Sequence, residues 1–293
     1  MIRLGIIGIS EGNGHPYSWS AICNGYNASV MQSCPFPAIP QYLAERRFPE
    51  DQLPNARVTH IWTQDDALSS HIASSSLIPH TVNQLNDLIG RVDAILLARD
   101  DARQHCQMAV PFLRAGLPVY VDKPAALSVT DLDEMYLAAR SDDLLFSCSA
   151  LRYSSSLRLD PVTRTQIGTV RHIECVVPKY WDTYAVHLLD PIFSELNLYE
   201  SESTVRVLEG NPQVTHITFP KLTVTLTCLG HLPGELKFRY YGERGFVDRY
   251  FTDTFESFRS ALSAFVDGVE RGVTHTPRNQ LTSIVRILER GAR

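Results

Sequence analysis

The chain lacks any apolar stretch long enough to cross a bilayer as a helix, a span that takes about 20 residues. It has no long basic run either, and its formal net charge is −5, so neither nucleic acid nor an anionic membrane is expected as its main partner. Cysteines are few, six in 293 residues. Cys23, Cys34, Cys106, Cys148, Cys175 and Cys228 are scattered, with no close pair at zinc or redox spacing. Most lie within apolar stretches, which suits buried thiols of a cytoplasmic protein. The ten histidines add no ligand pattern, so no metal is assigned. Internal repeats and low-complexity tracts are absent. The apolar amino terminus is interrupted by Gly5 and Gly8 and followed by Glu11, and it reads as a first strand rather than a signal peptide. The remainder is ordinary globular material: 44% apolar, 20% charged, and long enough for two domains with a sizeable core.

Two rhythms divide the chain near residue 150. Before it, apolar strands alternate with helical stretches: Arg3 to Ile9, Tyr17 to Tyr26, Val58 to Thr63, Asp66 to Ala73, a short strand at Leu77 to Ile78, and a helix capped by Thr81 and running through Leu88. Asp93 to Ala98, the Ala102 to Ala115 helix, Leu117 to Val121, the Thr130 to Ala139 helix and Leu144 to Ala150 follow. This alternation predicts a parallel, doubly wound α/β sheet over 1–150. A proline-rich insertion, 27–55, with a helical piece near Tyr42 to Arg47, interrupts it and is expected to be ordered. After Arg152 come six strands: Val170 to Val177, Val205 to Leu208, Val214 to Phe219, Leu222 to Leu229, Glu235 to Tyr241 and Gly245 to Tyr250. One helix, around Thr183 to Leu198, breaks the series, and Phe255 to Arg271 and Asn279 to Arg290 close it. Thr223, Thr225 and Thr227 face away from Leu222, Val224, Leu226 and Cys228, a period of two that suits a mostly antiparallel sheet covered on one face. The second domain is expected over 151–293.

Two places carry chemistry. The first strand runs into Gly8-Ile9-Ser10-Glu11-Gly12-Asn13-Gly14-His15-Pro16, and Pro16 suits the first position of a helix. A strand, a glycine turn and a helix start offer backbone N–H groups to a phosphate. The spacing is Gly8-x-x-x-Gly12-x-Gly14, with Ser10 and Asn13 where the usual dinucleotide pattern has glycine. The second place is Tyr120-Val121-Asp122-Lys123-Pro124. A lysine at the carboxyl end of a sheet strand sits where such folds bind ligands. Pro124 stiffens the turn, and Asp122 is expected to hold the ammonium by charge.

The Asp-Lys-Pro resembles the Glu-Lys-Pro signature of the Gfo/Idh/MocA family of NAD(P)-dependent oxidoreductases. The resemblance covers almost the whole chain in the family's order: Asp93-Ala-Ile-Leu-Leu-Ala with His105, Ala115-Gly116-Leu117-Pro118-Val119, Arg152, Ile167-Gly168-Thr169-Val170, His187-Leu188-Leu189-Asp190, and Phe265 to Gly272. It implies a Rossmann domain followed by a large, mostly antiparallel sheet, with NAD or NADP held by Gly8, Ser10, Glu11, Gly12, Asn13, Gly14, His15, Thr63, Gln64, Arg99, His105, Asp122, Lys123, Pro124 and Arg152. It further implies hydride transfer to or from a sugar, nucleotide-sugar or polyol, with Lys123, His187 and Asp190 catalytic. Tyr180, Trp181 and Thr183 are the expected substrate residues, and packing of the two rings is an equal reading. His187 and Asp190 stand three apart and share a helix face, where an imidazole takes a hydroxyl proton and a carboxylate orients it. Asp190 equally suits the cap of a helix starting at Pro191.

Two departures bear on this. Thr183 stands four before the histidine, where many members have aspartate. Thr63, followed by Gln64 and Asp65, replaces the acid that grips the adenosine ribose, which tolerates a 2′-phosphate. Arg46 and Arg47 lie in the insertion, either reaching that site or forming a solvated face. The expected partner is therefore a small sugar-like substrate, and the open sheet suggests a homodimer or homotetramer. The alternatives are a non-catalytic dinucleotide- or metabolite-binding sensor of the same fold, and an imine or tetrapyrrole reductase.

Overall fold

The computed structural model describes residues 1–198, 203–208 and 210–292. Chain contacts divide it into two compact units, Met1–Ala126 with Thr130–Cys148 and Phe258–Thr276, and Leu127–Val129 with Ser149–Ser257 and Pro277–Arg293. The division falls two residues before the expected 150/151 boundary, and a late segment, 258–276, groups with the first unit.

In the first unit, β1 (Ile2–Ile7) leads to α1 (His15–Asn24), and the insertion then forms α2 (Ala28–Met31) and α3 (Ala38–Ala44). β2 (Ala56–Trp62), α4 (Asp66–Ser75), β3 (His80–Thr81), β4 (Ala94–Leu97), α5 (His105–Arg114), β5 (Val119–Val121), α6 (Val129–Ala138) and β6 (Leu145–Phe146) follow. The strands form one sheet in the order β3-β2-β1-β4-β5-β6, and every pair is parallel. The order reverses between β1 and β4, so the crevice beyond their carboxyl ends is where such a sheet takes a ligand. β4 and β5 are apolar and buried along their whole length, as a sheet covered on both faces requires. Below the carboxyl edge, Trp19 stacks on Tyr120 with centroids 4.7 Å apart, and Tyr120 meets Phe146 edge-on at 4.7 Å. These rings fix the strand that delivers Asp122 and Lys123.

In the second unit, α7 (Pro161–Ile167) precedes β7 (Val170–Val177), α8 (Trp181–Tyr184) and α9 (Val186–Glu195). β8 (Thr204–Leu208), β9 (Gln213–Phe219), β10 (Leu222–Cys228), β11 (Lys237–Gly242) and β12 (Gly245–Tyr250) complete the strands; α10 (Thr254–Arg271) follows, grouped from Phe258 on with the first unit, and α11 (Arg278–Gly291) belongs to the second. The sheet runs β12-β11-β7-β10-β9-β8, antiparallel except for the parallel β7–β10 pair. Alternation places Leu222, Val224, Leu226 and Cys228 in the core, with Ile173, Cys175, Phe238 and Tyr240 from neighbouring strands. Leu188, Leu189, Ile192 and Phe193 of α9 join that cluster. Each such side chain contributes roughly 1.5–3 kcal/mol by leaving water.

Four expectations need correction. Leu77 and Ile78 are not a strand: Leu77 has φ +53° and the Ile78 N–H donates to the Ala73 carbonyl, so the pair terminates α4 as a left-handed helix stop. Thr81 lies in β3 rather than capping a helix, and the stretch to Leu88 keeps one 3₁₀ turn, Leu85–Leu88, closed by Gln84 and Asp87. β6 stops at Phe146, because Ser149 caps a 3₁₀ turn over Ala150–Tyr153. Pro191 lies inside α9 and starts no helix, so Asp190 is not an N-cap.

Candidate active site

At the carboxyl edge of the first sheet, the turn after β1 and the segment after β5 are joined by hydrogen bonds. Asn13 Nδ2 donates to Asp122 Oδ2 at 2.9 Å, and His15 Nδ1 lies 2.6 Å from the same oxygen. The Lys123 backbone N–H donates to Asp122 Oδ1 at 2.7 Å. His15 is held in turn by stacking on Trp19 at 4.9 Å. Burial alone would raise the Asp122 carboxyl; the charges of His15 and Lys123, and their hydrogen bonds, outweigh it and hold the group at about 2. The ammonium itself is matched elsewhere than expected. Lys123 Nζ pairs with Asp100 Oδ2 at 3.2 Å, while Asp122 spends its hydrogen bonds on His15, Asn13 and the lysine backbone. Lys123 is only 5% exposed, so this ion pair is a largely desolvated charge at the sheet edge. The Lys123–Pro124 peptide bond is cis.

Asp100 is a residue the sequence reading missed, and it is tied to the glycine turn. Ser10 Oγ donates to Asp100 Oδ1 at 2.6 Å and accepts the Asp100 N–H at 3.0 Å. Gln64 clasps Ile9 from the other side, donating to its carbonyl at 2.9 Å and accepting its N–H at 3.2 Å. Arg99 donates to Gln64 and, through two nitrogens, to Asp101, at 2.6 and 2.9 Å. His105 is buried, with its ring nitrogens facing the Arg99 and Ala125 carbonyls at 2.8 and 3.1 Å, which ties the two sheet-edge loops together. An acid directly beyond a strand end, beside the lysine's strand, was the signal that Asp100 offered.

The turn can take a phosphate. Gly12 has φ +76°, and a Cβ there would meet nothing within 4 Å. The Glu11 and Gly12 backbone N–H groups have no hydrogen-bond partner among the described residues. The other glycines serve packing: a Cβ at Gly8 would lie 2.3 Å from Pro16, and one at Gly14 2.5 Å from Ile39. His15 N–H is already taken by Asn13 Oδ1 at 2.8 Å. Thr63 is buried; its hydroxyl donates to the Asp65 carbonyl at 2.6 Å and lies 2.9 Å from Ser69 Oγ, beneath the start of α4. Asp65 Oδ1 caps that helix, and the residue is exposed. A nicotinamide dinucleotide therefore fits the Glu11–Gly12 amides for its diphosphate, with Asp65 the exposed acid after β2 in place of Thr63.

The second unit carries its own polar cluster, built on α9 and the turn at Ser149. Asp190 Oδ1 accepts from Arg152 Nη1 at 2.6 Å and Oδ2 accepts the Ser149 N–H at 2.7 Å. Burial raises the Asp190 carboxyl, against the pull of Arg152 and of that N–H. Arg152 also donates to Gln280. His187 Nδ1 lies 2.7 Å from Ser149 Oγ, so a serine, not Asp190, contacts the imidazole. Ser149, like Asp100, was missed. Tyr184 packs on His187 with centroids 5.0 Å apart, and Lys179 Nζ lies 4.5 Å from the Tyr184 centroid. Among the expected substrate residues, Thr183 is half-buried on α8, and Tyr180 is 49% exposed with its hydroxyl bonded to His231. Trp181 is core: its Nε1 donates to the Leu288 carbonyl at 2.9 Å, and a Cβ at Gly291 would sit 2.0 Å from its ring.

The sheet order and the turn define a Rossmann-type fold, and solved structures share it. Residues 41–149 match the model of the Gfo/Idh/MocA oxidoreductases, a family with an NAD-binding Rossmann fold. Over that segment, rather more than a third of the chain, it is similar to this family of NAD-binding oxidoreductases. Solved structures share the fold along almost its full length. A myo-inositol 2-dehydrogenase from Lactobacillus plantarum is 15% identical with a TM-score of 0.71, over 98% of this chain and 95% of that one. A scyllo-inositol dehydrogenase from Lactobacillus casei is 15% identical with a TM-score of 0.71, over 99% and 96%. A myo-inositol dehydrogenase from Corynebacterium glutamicum is 11% identical with a TM-score of 0.70, over 98% and 94%. Curated proteins gave no match.

Proposed function

We propose that this protein transfers hydride between NAD(P) and a carbinol or carbonyl carbon of a sugar, nucleotide-sugar or cyclic polyol. The observation that carries this reading is the desolvated Lys123 ammonium at the carboxyl edge of a Rossmann sheet, paired with Asp100 and backed by Asp122. Inositol dehydrogenases among the structural neighbours support the polyol class. Bound at the Glu11–Gly12 turn, the cofactor supplies the nicotinamide that gives or takes the hydride. Lys123 donates to the substrate oxygen and stabilises negative charge developing there. His187 takes the hydroxyl proton in oxidation and returns it in reduction. Asp122 and His15 hold the lysine's backbone, and Arg152 with Asp190 holds the turn on which His187 rests. Asp190 is thus a positioning group, and Tyr184 joins Tyr180 as a substrate-facing candidate in place of Trp181.

A second reading, a dinucleotide- or metabolite-binding sensor, is favoured by Thr183 standing in place of an acid four residues before His187. Equilibrium titration with NADH and NADPH, followed by turnover assays on inositols and sugars, separates the two. Tight cofactor binding with no hydride transfer to or from any sugar or polyol selects the sensor.

For assembly we take the open face of the second sheet as a homodimer surface. It presents Phe246, 60% exposed, and Tyr250, 44% exposed, beside the Arg239–Asp248 and Tyr241–Glu174 contacts.

A further inference from the structure

Ser149 is fully buried, and three of its polar contacts are defined. Its N–H donates to Asp190 Oδ2 at 2.7 Å, its Oγ accepts the Leu151 N–H at 3.2 Å, and the same Oγ lies 2.7 Å from His187 Nδ1. A serine hydroxyl has one proton to give and two lone pairs. One lone pair is taken by Leu151. The contact with His187 Nδ1 can run in either direction, but among the described residues that nitrogen is the one group near enough to accept the hydroxyl's own proton; were the ring to donate instead, that proton would have no acceptor there. A histidine's tautomer follows from the bond its other nitrogen makes.

We propose that Ser149 is the positioning residue of His187: it donates its hydroxyl proton to Nδ1 and so holds the neutral imidazole with its own proton on Nε2. Arg152 fixes Asp190, Asp190 fixes the Ser149 backbone, and Ser149 fixes the ring. The carboxylate three residues along the helix therefore acts on the histidine through a serine from a different segment. The inference deepens the proposed function, since it rests on reading His187 as the acid/base, and it gives that residue a direction. In the Nε2–H form the ring is a hydrogen-bond donor, suited to the carbonyl oxygen of an oxidised substrate. To accept an alcohol proton at Nε2, the ring must first carry its proton on Nδ1, and the Ser149 hydroxyl must turn from donor to acceptor. Removing the hydroxyl frees the ring from this bias.

The test is long-range ¹H–¹⁵N NMR of the protein labelled at histidine, which separates the pyridine-like nitrogen from the pyrrole-like one and needs no substrate. His187→Gln assigns the signals. Above the titration of His187, the expected spectrum shows Nδ1 pyridine-like and Nε2 pyrrole-like. Ser149→Ala should move both signals toward a tautomer mixture, and Ser149→Thr, which keeps the hydroxyl, should restore them. A wild-type spectrum with the proton on Nδ1 overturns the proposal, as does a folded Ser149→Ala protein with the wild-type pattern. If Ser149→Ala fails to fold, the wild-type spectrum alone still decides. In turnover, Ser149→Ala should shift the pH profile of polyol oxidation while leaving the KM for cofactor unchanged; an unmoved profile counts against the proposal. Should His187→Gln leave hydride transfer intact while the tautomer pattern holds, the acid/base reading fails and the positioning of the ring by Ser149 stands.

Discussion

Asp122 shows how a single buried carboxylate is kept charged. Its folded-state value of about 2 lies below the roughly 3.9 of an unfolded aspartate, so ionised Asp122 stabilises the fold at neutral pH. For a depressed carboxyl, that contribution is present above the unfolded value and lost as pH falls through the folded one. The difference in urea-unfolding free energy between wild type and Asp122→Asn should be flat above about pH 5 and shrink by about 2 kcal/mol between roughly pH 4 and pH 2. A difference that stays constant to pH 2 would contradict the His15–Asp122–Lys123 arrangement. Gly12 offers a second test at this scale. Its positive φ costs a side chain about 1 kcal/mol, yet the space above it is open. Gly12→Val should fold, lose about that much stability, and bind NADH and NADPH at least tenfold more weakly by fluorescence titration. Unchanged affinity would move the diphosphate elsewhere.

At the scale of elements, α8 and α9 show why a tryptophan beside a candidate histidine need not touch substrate. Trp181 fills the space left by Gly291 and donates to Leu288, so Trp181→Ala should cost roughly 3–5 kcal/mol of stability in denaturant unfolding. A variant of native stability with a raised substrate KM would return Trp181 to the substrate surface. Elements with a clean period were legible in the sequence: Val170–Val177 and Leu222–Cys228 fall where their alternation puts them. Elements set by backbone geometry were not. Leu77 and Ile78 are apolar and β-like by composition, but a left-handed residue and one hydrogen bond to Ala73 make them a helix terminus. Asp190 could be placed beside His187 by helix spacing alone, since three apart is one face. That its oxygens go to Arg152 and Ser149 depends on a turn nearly forty residues earlier, and no local pattern carries that.

Across the whole molecule, the family order of motifs located the parallel sheet, the glycine turn and the lysine segment. Strand order β3-β2-β1-β4-β5-β6 places turn and lysine at one carboxyl edge. Tertiary partners such as Asp100 stayed hidden, because an acid after a strand has many uses and only the folded sheet selects one. The return of 258–276 to the first unit was equally invisible, since its helical periodicity names no partner. It brings Phe265 to within 5.6 Å of both Tyr120 and Phe146, ring to ring. The open face of the second sheet makes a prediction at this scale too. Light scattering should find an oligomer, and Phe246→Glu should shift it toward monomer; a wild-type monomer at micromolar concentration would remove that surface from the assembly.

The most direct measurement is single-turnover absorbance of the nicotinamide with a panel of inositols and their keto forms, in wild type, Lys123→Ala and His187→Ala. Wild type should transfer hydride to or from at least one of them. Each variant should do so roughly 10²–10⁴-fold more slowly while still binding cofactor. Hydride transfer at the wild-type rate in both variants would contradict the assignment of lysine and histidine to the chemistry.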